Sequence, residues 1–166
     1  MRRRRTRGQA LVEFSLVLPV FLVMLMAVID VGRAIWAQNS LASAAREAGR
    51  YAIVHGGSAT TACPVGPPAD TANIPAVSTD CPYPSPSKQS IRDAVTAAAA
   101  AGGTSLAVTV CYGAGCSGDT DTTGATNARG TPITIGVTSR INLFTSSILG
   151  LGGFGISTTT TMVVNH

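Results

Sequence analysis

A charge-free apolar segment, Phe14 to Ile29, directly follows an arginine-rich amino terminus. As a helix, the stretch from Gln9 to Ile29 would be about 31 Å long at about 1.5 Å per residue, which matches a hydrocarbon core of about 30 Å. Five arginines precede Gly8 on one side of the segment only, and the positive-inside tendency holds such a block in the cytoplasm. The sequence therefore predicts a basic leader over residues 1–8 and a single membrane span over residues 9–30, with the rest of the chain outside.

Two other kinds of amino-terminal segment share a basic start and an apolar centre. A secretory signal peptide ends in a small-residue cleavage site. The nearest such site, Ala42-Ser43-Ala44, lies more than ten residues beyond the apolar run. An uncleaved signal anchor explains the arginines and the span, but it leaves Glu13 without a role.

Glu13 is an acidic residue near the cytoplasmic end of the predicted span. A carboxylate at the centre of a span costs about 2.5–3.5 kcal/mol on insertion scales and less near the ends, which makes Glu13 a candidate functional residue. Alternatively, its side chain reaches out to the lipid headgroups. Cleavage after Gly8 would make Gln9 the new amino terminus, and its freed α-amino group could neutralise the Glu13 carboxylate of a neighbouring subunit.

Three parts of the sequence resemble a known family: Gly8–Phe14 with Leu18-Pro19, Asp30–Ala34, and Ala44–Ala52. The chain resembles the type IV pilin superfamily, whose leader ends in glycine and whose mature chain carries glutamate at its fifth position. More specifically, it is similar to the TadE/TadG-like minor pseudopilins of the tight-adherence (Flp-type) pilus system. The similarity is close over the first third of the chain and looser beyond His55.

The resemblance implies that a membrane prepilin peptidase cleaves after Gly8 on the cytoplasmic side, and that the apolar segment remains as anchor and assembly helix. The implied partners are other pilin or pseudopilin subunits, the peptidase, inner-membrane proteins of pilus assembly and membrane lipid. No cofactor is implied. The implied location is a single-pass inner (plasma) membrane protein with its carboxy-terminal domain outside, or a place in a surface pilus.

Pro19 lies inside the span. It cannot donate a hydrogen bond to the carbonyl of Ser15, so the sequence predicts a kink. The kink is either passive or a point where the helix bends when it is drawn from lipid into a filament. The passive interpretation is preferred, because a single proline is weak evidence for a functional bending point.

A narrow row of mostly small residues predicts that the helix continues outside the membrane over residues 31–55. Its members recur at alternating spacings of three and four: Ala34, Ala37, Leu41, Ala44, Ala48 and Tyr51. Such a row permits close helix approach, either to other subunits or to the chain's own outer domain. Asp30 with Arg33, and Glu47 with Arg50, are predicted to form exposed surface pairs worth a few tenths of a kcal/mol.

Residues 56–86 are rich in proline, serine and threonine and predict a loop. Cys63 and Cys81 lie within it, while Cys111 and Cys116 follow further on. Four cysteines on the outward side of a membrane indicate two disulfides. The sequence permits three connectivities, of which Cys63 with Cys81 and Cys111 with Cys116 is preferred.

Residues 87–166 predict a small domain with one helix and three strands. Ser87 is the expected cap of a helix over residues 88–101, and Gly102 is its expected stop. Alternating apolar residues then predict three strands, at Leu106–Tyr112, Ile133–Val137 and Ile156–Val164. The predicted fold class is α+β, with the long amino-terminal helix lying against a three-stranded antiparallel sheet. The apolar stretch 141–154 either covers the sheet or forms an exposed patch, and cover is preferred because large bare patches are uncommon.

Charge and composition argue against two classes of function, nucleic-acid binding and catalysis. Without residues 1–8 the chain carries seven basic and eight acidic residues, a net charge of −1, so the high isoelectric point belongs to the leader. No nucleic-acid surface is therefore predicted. The two histidines, His55 and His166, have no serine or cysteine signature to join them, so the sequence predicts no catalytic residue and no enzyme.

Three apparent ligand motifs fail on their context. Gly113–Gly118 fits GxGxxG, but no helix follows to receive a pyrophosphate, so it is interpreted as a hairpin loop. Asp119, Asp121 and Gly124 match three positions of a calcium loop, but Gly130 stands where the terminal glutamate belongs, and an Asp-rich turn is preferred. The cysteines are too widely spaced for CxxC chemistry or paired zinc knuckles, and no metal site is predicted.

The sequence as a whole predicts a processed, pilin-like assembly subunit. The competing prediction is a membrane-tethered binding module without a role in a pilus, in which the disulfide-bonded domain recognises a ligand. A secreted hydrolase ranks third.

Overall fold

The computed structural model describes residues 6–59, 63–68, 78–83, 86–99, 105–150 and 152–165. The leader arginines at positions 2–5, the expected helix stop at Gly102, and His166 lie outside these ranges. The elements in chain order are α1 (Thr6–Val54), α2 (Gln89–Ala98), β1 (Ser105–Tyr112), β2 (Pro132–Ile141), α3 (Phe144–Leu149) and β3 (Phe154–Val163). The predicted α+β class, with a long helix followed by a short helix and a three-stranded antiparallel sheet, is confirmed.

The three strands form an antiparallel meander in the order β1-β2-β3. β1 pairs with β2 from Ser105 opposite Arg140 to Tyr112 opposite Ile133. β2 pairs with β3 over its whole length, from Pro132 opposite Val163 to Ile141 opposite Phe154. Because neighbouring residues of a strand point to opposite faces, the buried isoleucines and valines of β2 face one side while Thr138 and Arg140 face the other.

The second half of α1 lies against the apolar face of the sheet, and α2 packs beside it. Gly49 marks a close approach of α1 to β3, since a Cβ placed there would lie 2.7 Å from the sulfur of Met162. The core is formed by buried side chains from both helices and all three strands: Leu41, Ala44, Ala45, Ala48, Ala52, Ile91, Val95, Val110, Tyr112, Ile133, Ile135, Val137, Ile156 and Val164. The outer domain is therefore built around the end of the same helix that begins at the chain's amino terminus.

Helix α2 begins one residue later than the sequence predicts. Lys88 precedes the helix, and the Ser87 hydroxyl accepts a hydrogen bond from the backbone N–H of Gln89 at 3.1 Å. Ile91 and Val95, four residues apart, are both fully buried and attach the helix to the core. The predicted end at residue 101 lies outside the described ranges, in which the helix ends at Ala98.

Two aspartates of the β1–β2 loop bind the outer edge of β1. Asp119 Oδ1 accepts the N–H of Val110 and Asp121 Oδ1 accepts the N–H of Tyr112, each at 2.8 Å. Arg92 pairs with Asp119, and Lys88 pairs with Asp121, each at 2.7 Å. Burial by itself would raise the pKa of Asp119, but its hydrogen bonds from Val110 and Arg92 hold that pKa below its usual value. Both carboxylates of the apparent calcium motif are thus bound by groups of the chain itself.

Disulfides join Cys63 to Cys81 and Cys111 to Cys116, which are the pairings preferred from the sequence. The second bond closes the loop that carries the apparent GxGxxG motif. Asn127, almost fully buried, ties the two loop regions together, because its side-chain Nδ2 donates to the carbonyl of Val65 at 3.0 Å. Covalent and polar contacts therefore hold these loops in place, together with the buried side chain of Val65.

The apolar stretch 141–154 does not cover the sheet. Its central part forms α3, which packs against α1, while Ile141 and Leu143 reach the core. Phe144, Ile148 and Phe154 are 57%, 63% and 57% exposed. The preference for cover is therefore wrong for these three side chains.

Candidate functional site

The amino-terminal half of α1 is bare in this structure. From Gly8 to Ile29 every residue is exposed, although the segment is almost entirely apolar. Phe14 and Ile29, the ends of the charge-free segment, are 65% and 56% exposed. The helix is long and apolar enough to cross a membrane. Exposed apolar side chains on all sides of one helix need a surrounding of lipid or of other apolar helices.

Glu13 stands on this bare surface, one helical turn after Gln9. Its Oε1 accepts a hydrogen bond from the side-chain Nε2 of Gln9 at 3.2 Å. Gly8 precedes this pair within the helix, and a Cβ built on Gly8 would meet no heavy atom within 4 Å. Gly8, Gln9 and Glu13 therefore share one accessible end of the helix, and among the described residues no contact requires residue 8 to be glycine.

Pro19 lies within α1, which continues through it as one helix. Four residues earlier, the Ser15 hydroxyl donates to the carbonyl of Val12 at 2.9 Å. That hydroxyl is already engaged in the preceding turn of the helix. The functional interpretation of Pro19 as a bending point stays a prediction.

The row of small residues predicted on α1 lies under the chain's own outer domain. Ala37, Leu41, Ala44 and Ala48 are 0–4% exposed, whereas Ala34 and Tyr51 at its two ends are half-buried. The Tyr51 ring stacks on His55, with ring centroids 4.1 Å apart. Of the two uses left open by the sequence, this row serves the intramolecular one.

Residues 8–50, which lie entirely within α1, match the family model described as TadE-like protein. Over this region the chain is similar to TadE-like proteins. That family is a structural one associated with tight-adherence pili. No curated protein and no solved structure matches the chain.

Asp30 ends the bare part of the region that matches the TadE-like model. It pairs with Arg33 as predicted, but its carboxylate does not lie on the surface. Its carboxylate is buried, 2% exposed, and accepts the N–H of Phe144 at 3.0 Å and the N–H of Thr145 at 2.8 Å. The Thr145 hydroxyl also donates to it, at 2.7 Å. Arg33 remains within 3.8 Å of Asp30 and lies over the Phe144 ring, 4.7 Å from its centroid. Asp30 therefore caps α3 and joins two parts of the chain more than a hundred residues apart.

We expect Asp30→Ala to release the first turn of α3. Amide hydrogen exchange at Phe144 and Thr145 should become roughly tenfold faster or more, because two backbone N–H groups lose a charged acceptor. Glu47→Ala is the matched control, since Glu47 is an exposed acid of the same helix that pairs with Arg50 at 3.8 Å. Equal exchange in Asp30→Ala and the parent chain would show that Asp30 does not hold α3.

A groove of about 400 Å³ lies at the sheet end that is nearer α3. Its lining combines small and hydroxyl-bearing residues with two larger apolar side chains and one cation: Ser105, Leu106, Ala107, Thr138, Ser139, Arg140, Gly155, Ile156 and Ser157. Within the part of the chain that the structure describes, no group of three histidine, cysteine, aspartate or glutamate side chains could hold a metal ion. The hydroxyl groups and the Arg140 side chain of the groove make it a candidate site for a ligand.

Proposed function

We propose that the chain is a pilin-like subunit of a tight-adherence pilus that is processed by a prepilin peptidase after Gly8. The observation that carries this proposal is the bare apolar half of α1, which has a single carboxylate, Glu13, beside its accessible end. The TadE-like match over residues 8–50 supports it. The role is structural, and catalysis has no part in it.

Assembly follows from the charge of Glu13. A lone carboxylate in apolar surroundings is unfavourable, and the processed amino terminus at Gln9 supplies a positive charge. A neighbouring copy or another pilin subunit can bring that charge to Glu13 while its own apolar helix covers the exposed one. Before assembly the helix lies in the inner membrane, with residues 1–8 in the cytoplasm. Lipid covers its apolar surface until another subunit does.

The outer domain then stays outside the membrane, at the pilus surface or in contact with the inner-membrane assembly proteins. A tethered binding module is the second candidate, and the groove beside Arg140 favours it. In that case the helix acts only as an anchor and the leader is retained.

The amino terminus of the membrane-bound chain decides between the two functions. Sequencing or intact mass should give Gln9 as the first residue of the parent chain. Gly8→Val should leave most of the chain uncleaved, because a branched side chain next to the scissile bond obstructs the peptidase. Gly32→Val is the control, since Gly32 is in the same helix and also has open space around it. Retained arginines in the parent chain, or normal cleavage of Gly8→Val, would contradict processing at this bond.

A further inference from the structure

Helix α3 lies beside a part of α1 that belongs to the predicted membrane span. Its first turn is held by Asp30, at the outer end of the span. Further along α3, Ile148 lines a small apolar crevice together with Thr145 and with Val23 and Met26 of α1. Val23 is seven residues before Asp30, a distance of about 10 Å along a helix. Helix α3 therefore runs back along α1 from Asp30 towards the membrane centre.

The chemistry of this segment suits lipid. No lysine, arginine, aspartate or glutamate occurs after Arg140, so α3 and its flanking residues are uncharged. Phe144, Ile148 and Phe154 point into the surroundings, more than half exposed. Depths of about 5–10 Å are usual for apolar groups that dip into a membrane interface, which agrees with the level of Val23 and Met26.

Backbone N–H groups at both ends of α3 have partners within the protein, which lowers the cost of placing these ends in lipid. At its start, the N–H groups of Phe144 and Thr145 bind Asp30. At its end, the N–H of Gly150, in the left-handed conformation, binds the carbonyl of Ser146. The Ser146 hydroxyl donates to the carbonyl of Leu143 at 2.8 Å.

We propose that α3 and its flanking residues insert into the outer leaflet of the membrane beside the spanning helix. The occupant of the exposed patch formed by Phe144, Ile148 and Phe154 is then lipid, with acyl chains around Ile148. Arg33, which lies over Phe144 and is 45% exposed, stands at the level of the lipid phosphates. This proposal rests on the membrane placement in the proposed function, but not on cleavage or assembly.

Tryptophan quenching by brominated lipids tests the insertion. Trp36 is the single tryptophan of the chain, so Trp36→Phe gives a background into which one tryptophan is placed. The full chain is reconstituted in phosphatidylcholine vesicles whose lipids carry bromine either near the headgroup or near the chain end. Ile148→Trp should be quenched strongly by the bromine nearer the headgroup. Phe144→Trp exchanges one aromatic residue for another at an exposed position and should show the same quenching. It still tests the proposal if Ile148→Trp does not fold.

Tryptophans at two further positions distinguish a failure of the α3 insertion from a failure of the membrane placement. Val163→Trp should show little quenching, because Val163 is 54% exposed at the opposite end of β3 from Phe154. Phe21→Trp, in the middle of the span, should be quenched by the deep bromine. Quenching at position 21 without quenching at positions 144 and 148 would overturn the insertion of α3 alone. Absence of quenching at position 21 would overturn the membrane placement itself. If the tryptophan at position 148 is shielded from water only after other pilus subunits are added, and is not quenched by brominated lipid, the patch is a protein contact. That result would overturn the lipid proposal.

Discussion

Chains with Glu13→Gln are expected to remain in the membrane but to be largely missing from sheared pili. Glutamine keeps the shape of the side chain and removes its charge, so the substituted helix has no unpaired carboxylate for assembly to neutralise. The lost driving force is up to about 2.5–3.5 kcal/mol, and tenfold in an equilibrium corresponds to about 1.4 kcal/mol. The fraction of chains recovered in pili should therefore fall by up to roughly 60- to 300-fold, as measured by immunoblotting of sheared and membrane fractions.

Two variants complete the Glu13 experiment. Glu13→Asp retains the charge on a shorter side chain and should restore part of the incorporation. Glu47→Gln removes an exposed acid elsewhere on α1, 67% exposed, and should leave incorporation unchanged. If Glu13→Gln is cleaved normally and enters pili as well as the parent chain does, the pairing of Glu13 with a neighbouring amino terminus is wrong.

Gly66→Ala is expected to destabilise the outer domain severely. Gly66 has a φ of +87°, and a Cβ at this position would overlap the ring carbon Cζ and the hydroxyl of Tyr112. Tyr112 is fully buried, and burial raises the pKa of its hydroxyl. The left-handed conformation costs a residue with a Cβ about 1–2 kcal/mol, and forced repacking adds about 1–3 kcal/mol. A loss of roughly 2–5 kcal/mol is large against the usual total of about 5–15 kcal/mol.

Gly130→Ala separates the two causes. Gly130 has nearly the same φ, +91°, but open space where its Cβ would stand, so only the conformational part should be lost. Unfolding of the full chain in detergent micelles, followed by the near-ultraviolet circular dichroism of the tyrosines, measures both variants. Equal destabilisation by the two substitutions would show that the contact between Gly66 and Tyr112 is not important.

The regular elements could be predicted because their signals are local. The period of α1 and the alternation in β1, β2 and β3 follow from the spacing of apolar residues along each element. The helical spacing of the small residues on α1 also predicts that Leu41 and Ala48 are buried, although the sequence alone left open which partner covers them. The bare apolar half of α1 follows from composition.

The contacts that hold the outer domain in place could not be predicted, because they join residues far apart in the sequence. Asp30 has a basic residue three positions later, so local reasoning pairs it with Arg33, whereas its main partners are the backbone N–H groups of Phe144 and Thr145. From the sequence alone, Asp119 and Asp121 indicate a turn or an incomplete calcium loop. Only the structure shows that β1 runs beside them and donates its N–H groups to both carboxylates. Gly66 gives no local signal that the ring of Tyr112 lies against it.

The two aspartates beside β1 affect how copies of this chain can join. Exposed strand edges offer unpaired N–H and carbonyl groups to foreign strands, and natural proteins often block them. An incoming strand at Val110 and Tyr112 would have to displace two carboxylates that are themselves paired with Arg92 and Lys88. The end of β1 from Val110 to Tyr112 is thereby protected against templated aggregation, even where many copies are crowded side by side.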